Sequence, residues 1–513
     1  MASTKSSPLS FPLFLAFMFL FLQPHVSSFS IKEATVQDLQ LAFRRKQLTS
    51  RQLVEFYIGE IHRLNPLLKA VVEVNPDARS QADKADRERK AKAAGSLGVL
   101  HGIPVLLKDN IATKDRMNTT AGSLALLRSV VPRDAGVVSK LRKAGAIILG
   151  KASLSEWAHF RGYSAPSGWC ARTGQGKNPY NISQDPCGSS SGSAIAVASN
   201  LAAVTLGTET DGSILCPSNN NAVVGIKPTV GLTSRAGVIP ITPRQDTVGP
   251  MCRTVTDAVY VLDAIAGSDS NDNATVEASK YIPRGGYKQF LKMDGLRGKR
   301  LGLFRNEFFN FGNGPVYAKA FERHFTILRK RGAVLVENVN ASKYLGAYNT
   351  DTDYENLAMT AEFKLAINSY LKELVASPVR SLRDLIAFNN KFAKLEKTKE
   401  YGQEYFLDAE ATNGIGKKEK AAILKLAKMS RYGFKKLMKE NKLDALLSPF
   451  SLASPMLATG QHPGIIVPAG YGSDGVPFGL CFGGLKGSEP TLIEIAYGFE
   501  QATKIRRPPS INH

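Results

Sequence analysis

Residues 203–218 read AVTLGTETDGSILCPS, and the rest of the chain is organised around this stretch. The run 203–207 has the apolar composition of a strand buried on both faces. The turn that follows is small and polar, and it delivers one hydroxyl, Ser213, behind the bare backbone of Gly212. Buried-strand runs recur at 103–107 and 146–150, with helical periodicity at 137–144 and 193–200 between them. Strands and helices alternating in this way predict an α/β fold: a large mixed, mostly parallel twisted sheet covered by helices on both faces.

Two further segments stand out upstream. PVLLKDN (104–110) places Lys108 where an interior strand ends, an unusual position for a charge. DPCGSSSGSAIAVAS (185–199) runs from a loop into a helix through a series of serines that begins at Ser189. Taken singly, each has an ordinary reading: serines in Gly/Ser-rich turns are mostly turn residues, a buried lysine mostly pairs with an acid such as Asp109, and serines opening a helix can form an anion nest. Taken together they form one constellation, a buried lysine and two serine-bearing turns. His101 and His159 could compete as the base of a Ser–His–Asp triad, but neither sits in a surrounding motif. The phosphate-binding GxxxxGK[ST] pattern, HExxH and CxxC are all absent, so neither a P-loop nor a zinc site is indicated.

In this order, the three segments resemble the amidase signature family over residues 36–508, most closely at 102–253. The combination of DPCGSSSGSA, GTETDGSI and KPTVGL (227–232) resembles the branch containing bacterial peptide amidases. The resemblance implies the amidase signature fold and a Ser–cisSer–Lys set made of Lys108 as base, Ser189 as relay after a cis peptide bond at Gly188–Ser189, and Ser213 as nucleophile. It also implies an oxyanion cradle of backbone N–H groups from Thr210, Asp211, Gly212 and Ser213, with no cofactor and no metal. Asp211 stands where the family more commonly has glycine, so its side chain must turn from the oxyanion and pair elsewhere. The implied activity is hydrolysis of a linear amide, a peptide or amino-acid amide in the first instance. The alternatives are a fatty-acid or other small acyl amide hydrolase and the glutaminase subunit of a tRNA-dependent amidotransferase.

Composition narrows the partners. The formal net charge of +22 could indicate nucleic acid, but the basic residues are interspersed with acids and alanines on helical stretches such as 79–92 and 417–442, the pattern of solvated helix faces. The expected partner is therefore a small-molecule or peptide amide, with no nucleic acid. Five scattered cysteines, Cys170, Cys187, Cys216, Cys252 and Cys481, read as small buried hydrophobes rather than a disulfide scaffold.

The first 28 residues, with Lys5 ahead of an apolar run at 9–22, read as a secretory signal peptide cleaved near Ser28–Phe29, with no stable membrane span. That predicts an extracellular or cell-wall protein. Of four N-x-S/T sequons, at Asn118, Asn181, Asn273 and Asn340, the one in the polar stretch around Asn273 is the best glycan acceptor, and Asn118 and Asn181 lie close to the catalytic segments. The mature domain is expected over 29–508, with a catalytic core at about 70–266 and a more variable lid and specificity half at about 267–508. Long helices are expected at 344–374, 381–399 and 417–441, and strands near 299–304, 333–337, 444–447, 465–468 and 478–482.

Overall fold

The apolar runs become strands in the computed structural model of the protein, which describes residues 1–3, 29–91, 97–312, 314–337, 339–345 and 352–511. Apart from its first three residues, the expected leader at 1–28 lies outside the described residues. In chain order the strands are β1 (Val71–Val74), β2 (Pro104–Lys108), β3 (Ile147–Ala152), β4 (Trp169–Cys170), β5 (Gly174–Gln175), β6 (Val204–Glu209), β7 (Val224–Lys227) and β8 (Thr247–Cys252). There follow β9 (Arg300–Leu303), β10 (Val334–Val336), β11 (Ala445–Pro449), β12 (Gly464–Tyr471) and β13 (Pro477–Gly483). β4 and β5 form a small ribbon, and the others make one 11-stranded sheet ordered β1-β3-β2-β6-β8-β7-β12-β13-β11-β9-β10.

The sheet is mixed, as expected, but its parallel strands are confined to two blocks, β3-β2-β6 and β11-β9-β10. The remaining six pairings are antiparallel, against four parallel. The expectation of a mostly parallel sheet is corrected at its centre. There β8, β7, β12 and β13 pair antiparallel, because β8 returns through a loop beside β6 and β12–β13 is a hairpin.

Two helical layers cover the strands. Ser191–Ala198 and Leu215–Asn220 pack on each other and on the middle of the sheet, while Gly136–Lys143, Val255–Ile265 and Glu489–Thr503 form a second contacting set on the same strands. All eight residues of Ser191–Ala198 are buried. Its run of small residues lets the helix approach the sheet closely. A Cβ on Gly192 would lie 2.4–2.5 Å from backbone atoms of Ser153 and Ala70.

A capping box of Thr49 and Gln52 starts helix Ser50–Leu68, and Pro66 lies inside it. The helix runs on to Leu68 and stops at Lys69 in the left-handed region. Segment 267–508 supplies β9–β13, so the sheet runs through both portions of the chain.

Candidate active site

β2 carries Lys108 to the edge of the core, where its side chain is fully buried. Its Nζ lies 2.8 Å from Ser189 Oγ and 3.1 Å from the Thr208 carbonyl oxygen. Burial pushes the lysine down to about 7, against the opposing pull of Glu209 and Asp246, so the neutral amine is accessible near neutral pH. The ordinary pairing with Asp109 does not occur. That carboxylate instead accepts from the Gly122 N–H at 3.0 Å and from the Thr120 hydroxyl, with Arg172 at 3.8 Å. Lys151 and Lys227 are equally buried, but Lys151 donates to the Ile111 carbonyl and the Thr119 hydroxyl, and Lys227 to the His462 carbonyl. Lys108 is the one that reaches a serine of the signature.

The Gly188–Ser189 peptide bond is cis. Ser155 N–H donates to the Ser189 carbonyl at 2.9 Å, and a Cβ on Gly188 would meet Ser155 Oγ at 2.2 Å, so any side chain there would have to displace that hydroxyl. The following serines stitch the helix to β6: Ser190 Oγ donates to the Thr208 carbonyl at 3.0 Å and Ser193 Oγ to the Leu206 carbonyl at 2.9 Å. The serine run is therefore occupied in fixing the loop rather than open as an anion nest.

Ser213 lies between β6 and helix Leu215–Asn220 and is 9% exposed. Its carbonyl accepts from the Ser190 N–H at 3.2 Å, which brings the two serine segments together. Gly212 has φ 73°, a left-handed turn that glycine adopts without strain. The turn is held from below by Glu209, whose Oε2 accepts from Ile214 and Leu215 N–H at 2.6 and 2.9 Å. The Gly212 N–H is also directed at this carboxylate, which burial raises and these donors lower. The expected oxyanion residues Thr210, Asp211 and Gly212 thus share the turn with Ser213, with Gly212 engaged by Glu209.

Thr210 is tied outward. Its hydroxyl donates to Asp246 Oδ1 at 2.6 Å, and Asp246 Oδ2 accepts from Ile241 and Thr242 N–H at 2.8 and 3.1 Å. Gln245 Nε2 donates to the Thr210 carbonyl at 3.4 Å and to Glu355 Oε1 at 2.7 Å. Glu355 lies on helix Thr352–Glu373, and Glu362 of the same helix accepts from Thr242 Oγ1 at 2.6 Å and from Arg244. Asp211 lies beside the Ser454 hydroxyl, which lowers its carboxyl, while burial first and Glu355 second raise it to about 8, and its Oδ1 is left without a partner.

Gln245, Asp246, Glu355 and Ser454 carry no sequence motif. Asp211 in place of glycine was the only signal that partners were needed. His101 Nε2 meets Glu88 at 2.8 Å and His159 Nε2 the Ala165 carbonyl at 2.8 Å, so neither pairs with a signature serine.

The reading of all five cysteines as hydrophobes is corrected in part. Cys187 and Cys216 form a disulfide, while Cys170, Cys252 and Cys481 are free and buried. The bridge joins the residue two before Ser189 to the residue three after Ser213.

A model of the Amidase family matches residues 52–462. A probable amidase of Arabidopsis thaliana is 59% identical over 483 residues, covering 94% of this chain and 92% of that protein. The crystal structure of native peptide amidase from Stenotrophomonas maltophilia superposes with a TM-score of 0.87 at 44% identity, covering 94% of this chain and 99% of that one. A glutamyl-tRNA(Gln) amidotransferase subunit of Thermosynechococcus vestitus is 32% identical, covering 92% of this chain and 98% of that protein.

Proposed function

Because this chain belongs to the amidase family and is a hydrolase of carbon–nitrogen bonds in amides, we propose that Lys108, Ser189 and Ser213 cleave peptide or amino-acid amides and release ammonia. The observation that carries the reading is the buried Lys108 Nζ at 2.8 Å from Ser189 Oγ, on the same small-residue scaffold that presents Ser213. Neutral Lys108 takes the Ser189 proton as Ser189 takes that of Ser213, and Ser213 Oγ attacks the amide carbonyl. The proton returns through Ser189 to the departing nitrogen as the C–N bond breaks. Water then hydrolyses the acyl-enzyme by the same relay. The backbone N–H groups of the 210–213 turn other than Gly212, which Glu209 holds, take the oxyanion, each donor worth about 3 kcal/mol.

The likeness to a peptide amidase at 44% identity supports the substrate class. The test is ammonia release by the purified chain alone from a dipeptide amide, with an oleamide-like amide and glutamine alongside. A higher kcat/KM on the dipeptide amide is expected. A clear preference for the fatty amide would move the substrate class, and a requirement for ATP, tRNA and a partner would make the chain a glutaminase subunit.

The secretory reading is also proposed. It is supported by the disulfide, which suits an oxidising compartment, and by the exposure of Asn273 and Asn340. By contrast, Asn118 and Asn181 are half-buried, with their amides donating to Glu73 and to the Asp474 carbonyl. Among the described residues no helix is long and apolar enough to cross a membrane.

A further inference from the structure

Among the side-chain acceptors at the nucleophile turn that are buried without a donor, alongside Glu209 Oε1, are Asp211 Oδ1 and Gln245 Oε1. Unsatisfied buried acceptors are uncommon in folded proteins and require an explanation where they occur. These two belong to one assembly. Asp211 is two residues before Ser213, and Gln245 is fixed by its amide nitrogen to the Thr210 carbonyl at 3.4 Å and to Glu355 at 2.7 Å, which leaves its oxygen as the free end of a pinned group. Ser454, next to Gly212 at 3.2 Å from the position a Cβ would take there, supplies the one donor to the Asp211 carboxyl. Arg244 of the same loop donates to Glu362 at 3.1 Å, and its Nη1 is itself buried without an acceptor. The donors that reach the turn thus leave Asp211 Oδ1 and Gln245 Oε1 open.

We propose that Asp211, held by Ser454 and backed by Gln245 and Glu355, is the specificity-determining acceptor for an N–H group on the substrate carbon next to the scissile carbonyl. The substrate class this selects is the α-acylamino amide, that is, the C-terminal amide of a peptide, over a plain acyl amide of the same size. This inference rests on the peptide-amide reading above and names the residues that impose it. Each acceptor that gains the substrate N–H loses an unpaired state, whereas a chain of methylenes leaves both acceptors unpaired, and this asymmetry is what makes polar sites selective. The upward displacement of the Asp211 carboxyl, from burial first and Glu355 second, agrees with its place beside a second buried carboxyl.

The test uses the full mature chain and three amides that share a side chain: N-acetyl-leucinamide, its N-methyl derivative, which lacks the N–H, and 4-methylpentanamide, which lacks the whole α-substituent. Wild type is expected to favour the first over the second and third by roughly 10- to 100-fold in kcat/KM. In Asp211→Ala and Glu355→Gln that ratio should collapse towards unity, mainly through KM of N-acetyl-leucinamide. Asp211 is not in the left-handed region, so alanine fits its backbone, and Glu355→Gln tests the same point from the covering helix if the first variant fails to fold. A wild-type preference that both variants retain would overturn this inference alone. A wild-type enzyme indifferent to the α-substituent, yet active on fatty amides, would overturn the substrate reading on which it stands.

Discussion

Lys108 is the residue on which the chemistry turns, and its environment sets two expectations. Ser213→Ala should lower kcat by about 10⁵- to 10⁶-fold, as loss of a nucleophile that acts as part of a unit does. Lys108→Ala should come close to that, and Ser189→Ala should retain more because water can stand in for a hydroxyl. Ammonia release under saturating substrate measures all three, and substantial turnover by Ser213→Ala would reassign the nucleophile.

The second expectation concerns pH. The lysine must be neutral to act, and it loses its proton at about 7 in the folded enzyme, so kcat/KM should rise with pH and reach half its plateau near that value. A profile flat between about pH 6 and 8 would remove Lys108 from the base's role. The same depression bears on stability. The unfolded chain binds the proton up to its ordinary value of 10.5 while the fold releases it at about 7, so this group's contribution to stability rises with pH across that window.

At this scale the reacting residues were legible because each sits in a motif of small residues that can be read locally. The residues that hold them were not. Gln245, Glu355 and Ser454 reach the turn from distant parts of the chain, and nothing around them marks a role.

Elements were legible where hydrophobic period and length agreed, and illegible where composition worked against the conformation. β2, β3 and β6 follow directly from their apolar runs. β8 was missed because Gly249 and Pro250 are poor strand formers, yet both pair with β6, at Gly207 and Leu206. The later helices were over-extended. Segment 381–399 breaks at Phe392 and again at Lys397, which is left-handed, and 417–441 breaks at Gly433, although the apolar spacing carries on through each break.

The disulfide belongs to this scale too, because it couples two elements: the loop before helix Ser191–Ala198 and the first turn of Leu215–Asn220. Closing a loop over a sequence separation of 29 should contribute about 2–4 kcal/mol by restricting the unfolded chain. A Cys187→Ala/Cys216→Ala double variant should lose that amount in urea unfolding, and its kcat should fall more than its KM rises, since the bridge brackets both serines. An unchanged kcat would show that the serine run alone aligns the site.

For the whole molecule, the expectation is a mature chain that begins near Phe29 and carries glycan at Asn273, which intact-mass measurement on protein from a secreting host would reveal as a shortened N terminus and a glycosidase-sensitive mass increment. Retention of Met1 on an unmodified protein would reverse the secretory reading. The general architecture was legible from the alternation of strand and helix, but the antiparallel centre of the sheet was not, because β8 has a weak strand composition and β7 pairs with β12 from far along the chain.

β7 (Val224–Lys227) is completed by β12 (Gly464–Tyr471), and the nucleophile turn by Glu355 and Ser454. Contacts of such long separation form late and slowly. A ribosome that has emitted the serine-bearing segments 104–213 has therefore not yet made an enzyme: the nascent chain should stay silent towards amides until residues 454–471 have emerged as well.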